Sequence, residues 1–126
     1  MKVEDSVRRS ILPGAELRTP ARKKPFWVEQ IDGQGVVLLL GEGRWPARLS
    51  WDCLEGVVPF VRDLGGEVPI GGRHDVVGNP GTLDEWLKGC IKTTTAGWVA
   101  VLLEEAGIVR ITETRPQRVR LTSAWQ

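Results

Sequence analysis

The stretch TTTAGWVAVLLEEAGIVRITETRPQRVRLT, from Thr93 to Thr122, constrains the fold more than any other. Ala96, Val99, Leu103 and Ala106 recur at spacings of three and four, which makes one stripe of an α-helix. The spacing predicts a helix over 95–106. Gly107 supplies its stop, because glycine enters the left-handed conformation without a steric penalty. IVRI and RVRL then alternate apolar and polar residues around TETRPQ, as two strands with one buried face would. Val119 and Leu121 point inward in that pattern, and Arg118 and Arg120 outward.

Upstream segments must supply the surface that buries this unit. PFWVEQI, VVLLL and RWPARLSW are three β-rich runs separated by the turn signals DGQG and GEG. They predict a three-stranded antiparallel meander over 25–49, with Pro46 marking an edge or a break. Ser50 is a fair N-cap for a helix whose Trp51, Leu54, Val57, Val58, Val61 and Leu64 fall at helical spacing. Pro59 predicts a kink or break in that helix. EVPI reads as a short strand. Thr82 and Glu85 make a capping box for a helix bearing Leu83, Trp86 and Leu87. The fold class expected is α+β, with the meander packed on a helical and β-hairpin unit.

Charge is uneven along the chain. Residues 1–24 carry seven Lys/Arg against three acids, residues 25–107 six against twelve, and residues 108–126 four against one. Both ends are basic and the middle is acidic, so a polyanion would meet the ends. Residues 1–24 show no sustained periodicity. They are expected to be a basic flexible leader, with Val7, Ile11, Leu12 and Leu17 docking in part and residues 1–20 dispensable for folding. Residues 123–126 are expected to be a tail in which Trp125 frays.

From Ser50 the predicted order is helix, strand, helix, helix, strand, loop, strand. The segment with Leu103, Glu104, Gly107, Ile108, Val109 and Arg110 resembles the end of the recognition helix and the wing in MarR-like bacterial winged helices. The resemblance covers roughly residues 50–122 and implies a winged-helix domain. It also implies non-catalytic binding of nucleic acid, most simply duplex DNA, by a regulator or a recognition module. The helix N-terminus would enter the major groove, which makes Lys92, Thr93, Thr94, Thr95 and Trp98 contact candidates. Arg110, Arg115, Arg118 and Arg120 lie on or beside the wing and would bind phosphate. No cation follows Lys92 on the helix, so a bidentate arginine–guanine contact is not available from it. Trp98 has two readings: packing on the meander, or stacking on a base or a partner.

The runner-up function is a protein-interaction adaptor or homodimerisation module on the same scaffold. A third is a small-molecule sensor using the cleft between the two parts. The loop GGRHDVVGNPG lacks phosphate-loop and dinucleotide spacing, and no GxSxG occurs. His74 and Asp75 are adjacent, so on an extended chain they face opposite ways. Catalytic residues, metal ligands and cofactors are therefore not expected. Cys53 and Cys90 are read as buried free thiols, consistent with a reducing cytoplasm. No apolar run is long enough for a membrane span.

Overall fold

The computed structural model describes residues 2–19, 23–71, 81–91, 96–113 and 116–126. Over these residues it is an α+β fold with two antiparallel sheets and four α-helices. The first sheet has the order β1(Glu16–Arg18), β2(Pro25–Asp32), β3(Gly35–Leu40) and β4(Trp45–Ser50). The three expected strands are present, and the fourth comes from the leader. Pro46 lies on the edge strand β4, where a missing amide does not interrupt a ladder.

The leader is thus not a flexible arm. Val3–Ser10 forms α1, and Val3, Val7 and Ile11, spaced by four, bury one face at 0–3% exposure. Arg8, Arg9 and the acids fall on the other faces, which is why the segment reads as polar without a helical period. Ser10 is followed by Ile11 in extended conformation, whose amide closes on the Val7 carbonyl. Leu12, expected to dock, is instead 75% exposed.

Helix α2(Trp51–Asp63) is the hub of the molecule, packed against α1, β4 and three later elements. Ser50 caps it by accepting from the Cys53 amide. The helix runs through Pro59 without the expected break. Pro59 is on the exposed side, where water can serve the carbonyl that its ring leaves unpaired. Thr82 likewise caps α3(Leu83–Lys88), accepting from the Glu85 amide, while the Glu85 carboxylate accepts from Gly81.

The second sheet has the order β5(Glu67–Pro69), β7(Arg118–Leu121), β6(Val109–Ile111). Helix α4(Ala96–Glu105) leads into β6 through Gly107, whose φ of +79° is the left-handed closure expected of it. The chain ends in a 3-10 turn, Ser123–Trp125. Trp125 is 7% exposed rather than frayed, and its carbonyl accepts from the Arg62 guanidinium at 2.8 Å.

Cys53 and Cys90 are not free thiols. They are joined as a disulfide between α2 and the end of α3, with Cα atoms 6.0 Å apart. Both were expected to be buried, but Cys90 lies just past α3 and is exposed. Among the described residues no helix is long and apolar enough to cross a membrane.

Candidate nucleic-acid interface

Antiparallel pairing sets the charge of the small sheet. Glu67 on β5 stands opposite Arg120 on β7, and Arg120 opposite Arg110 on β6. Arg118 lies two residues along β7, on the same side. These four residues therefore share the outward face. Val68, Val119, Val109 and Leu121 take the inward one at 0–1% exposure.

Glu67 governs the electrostatics of that face. Its two carboxylate oxygens accept from Arg118 Nε at 2.8 Å and Arg120 Nε at 3.0 Å. The Arg120 hydrogen bond, with that of Arg118 and the charge of both, holds the carboxyl below its ordinary value of 4.5 despite some desolvation. Arg110 has no carboxylate partner among the described residues and is exposed. The face carries a net positive charge that Glu67 reduces.

Of the other candidates, Lys92, Thr93, Thr94, Thr95 and Arg115 lie outside the described residues, as does the loop around His74 and Asp75. Trp98 is half-buried and packs against the core. Its indole Nε1 is buried and without a hydrogen-bond partner among the described residues. The core side of α4 holds Ala96, Val99, Ala100, Leu102 and Leu103, and α4 packs against α1, β1, α3 and β6. Glu104 and Glu105 are exposed, whereas Val101 is half-buried against the core. Glu104 accepts from the Ile111 amide at 2.7 Å, tying the helix to the hairpin. The outward side of α4 therefore offers no cation to a phosphate.

Two features escaped the sequence reading. Asp84, in the first turn of α3, is only 2% exposed, and its Oδ1 has no partner among the described residues. Trp45, at the start of β4, is 71% exposed. A cleft of about 230 Å³ lies between the first sheet and α2, lined by Asp32, Arg48, Ser50, Cys53 and Cys90 among others. Among the described residues no cluster of His, Cys, Asp and Glu is suited to hold a metal ion.

Comparison with protein-family models, with curated proteins and with solved structures returned no match to this chain.

Proposed function

We propose that the unit from α2 to β7 is a winged-helix domain that binds duplex DNA without catalysis, as a regulator or recognition module. The observation that carries this reading is the element order together with the strand order β5-β7-β6. That arrangement puts a hairpin directly after α4 and lines its outward face with Arg110, Arg118 and Arg120. The contact is electrostatic at the hairpin, and the N-terminal approach to α4 supplies Lys92 and the threonines. The body of α4 stays off the groove, since Glu104 and Glu105 would repel phosphate. Such a role places the protein with nucleic acid in the cytoplasm. The Cys53–Cys90 pair is the observation against that compartment, since disulfides seldom persist there.

Arg110 is the cleanest probe, because Glu67 already engages the other two arginines. Arg110→Ala is expected to weaken binding to duplexes of any sequence alike and to lower the slope of log affinity against log salt by about one. An unchanged slope would take the hairpin out of the DNA face.

One observation favours the adaptor reading instead. The exposed end of α4 carries Glu104 and Glu105 beside a half-buried Val101, a surface for a protein with a basic rim or for a second copy of this chain. A flat duplex titration combined with concentration-dependent mass in sedimentation would favour it.

A further inference from the structure

The two connections at one end of the first sheet carry an arrangement that the hairpin does not explain. β1 ends at Arg18 and β2 begins at Pro25, which faces Arg18 across the ladder. β3 ends at Leu40 and β4 begins at Trp45, which faces Leu40, itself paired with Phe26. Lys23 and Lys24, entering β2, and Arg44, entering β4, therefore lie at the same end of the sheet. All three are exposed, and none has a carboxylate partner among the described residues. Arg18 beside them is already engaged by Glu16 and by the Lys23 carbonyl.

Two further observations mark this end. Lys23 at φ 54° and Arg44 at φ 53° are the non-glycine residues with positive φ among those described. This is a conformation that glycine adopts freely and that a side chain enters at a cost, so backbone strain falls on two of these three cations. The same end also holds two indoles. The Arg44 guanidinium lies 4.2 Å from the centroid of Trp27, on the outward face of β2. Trp45, opposite Leu40 and so on the Phe26 side of the sheet, sits at the corner of the edge strand with its ring over Gly43 and stays 71% exposed.

We propose that this end of the sheet is a second contact site, one that takes single-stranded nucleic acid. An exposed indole accepts an unstacked base on its face, which a duplex does not present. Phosphates flanking that base meet Arg44, Lys24 and Lys23. β2 and β4 are two strand spacings apart, about 10 Å, so the site spans a few nucleotides. The basic residues near the N-terminus thus act as part of a fixed platform and not as an arm. The site is independent of the hairpin, so its failure and that of duplex binding are separable.

The test is fluorescence anisotropy of a short labelled oligo(dT) with the full chain at two salt concentrations, alongside a labelled random duplex. Trp45→Ala is expected to weaken oligo(dT) binding about tenfold, leaving duplex affinity and melting temperature unchanged. Lys24→Gln, also at an exposed position, is expected to lower the salt slope by about 0.7. Arg110→Ala is expected to weaken the duplex and spare oligo(dT). The proposal is overturned by absent oligo(dT) binding, by Trp45→Ala binding as the native chain does, or by poly-glutamate displacing oligo(dT) as well as unlabelled oligo(dT) does.

Discussion

The Glu55 side chain on α2 caps α1 by accepting from the Val3 amide at 2.8 Å, with its second oxygen accepting from Glu4 at 3.2 Å. Helix α1 has no cap of its own, since Lys2 at its N-cap makes no side-chain bond. Two amides that would otherwise lack intrahelical partners are served by a carboxylate fifty residues on, and that carboxylate also favours the positive end of the helix. Glu55→Ala is expected to cost about 1–2 kcal/mol, as loss of a helix cap does. Urea unfolding measures this, and amide exchange of α1 should lose protection first. Full retention of both would mean that Val3, Val7 and Ile11 hold α1 unaided.

The α2–α3 contact turns on a glycine. A Cβ at Gly56 would lie 2.2 Å from Trp86 Cζ2. The indole is not free to retreat: its Nε1 donates to the Cys53 carbonyl at 2.9 Å, and Phe60 stacks on it at 5.9 Å. Gly56→Ala should therefore destabilise by about 1–3 kcal/mol through overpacking, against the gain that alanine usually brings inside a helix. A melting temperature equal to or above the native one would show that Trp86 can re-pack.

What the sequence made legible was local. Ser50 and Thr82 act as caps because a hydroxyl before an apolar period has one favoured use. The stripe of Ala96, Val99 and Leu103 faces the core as its helical spacing predicts. What it hid was set by partners distant in sequence. Val3, Val7 and Ile11 form too short a stripe to outweigh the surrounding charges, and only the packing of α1 on α2 and α4 reveals it. The pairing of Cys53 with Cys90 follows from the docking of α3, 37 residues away. At the hairpin, alternation gave the outward direction of Arg118 and Arg120. Their pairing with Glu67 came from a strand joined through residues 70–117, which no local pattern reports.

Glu67 should act as a brake on polyanion binding by the hairpin. Glu67→Gln keeps the shape of the side chain and removes the charge that offsets Arg118 and Arg120. Duplex affinity is expected to rise severalfold, and the salt slope to increase by up to about one. The pH dependence has the matching sign. The carboxyl is held below 4.5 in the folded chain, so its pairing with the arginines is complete above that value. The pairing is lost as pH falls through the lower folded-state value. Native duplex affinity should rise over that acid interval, and Glu67→Gln should not show the rise. Identical acid profiles for the two proteins would place this face away from the nucleic acid.

The Cys53–Cys90 bond closes a chain segment of 37 residues between α2 and the end of α3. A cross-link over that length restrains the unfolded chain by about 3–4 kcal/mol in the loop-entropy description. The native contacts around it are independent of the bond. Trp86 reaches the Cys53 carbonyl, Leu83 and Leu87 are at most 1% exposed, and Ser50 caps the helix that carries Cys53. Reduction should therefore lower stability without removing the fold. Cys90 is exposed, so a soluble reductant can reach the bond, whereas Cys53 is 4% exposed. Thermal melts with and without reductant are expected to differ by many degrees, and Cys53→Ser/Cys90→Ser should reproduce the reduced value in both conditions. The first sheet should keep its protection in amide exchange, because none of its strands lies within the closed segment. A native protein whose melt ignores the reductant, together with a double variant of native stability, would mean that the two sulfurs meet without cross-linking the chain.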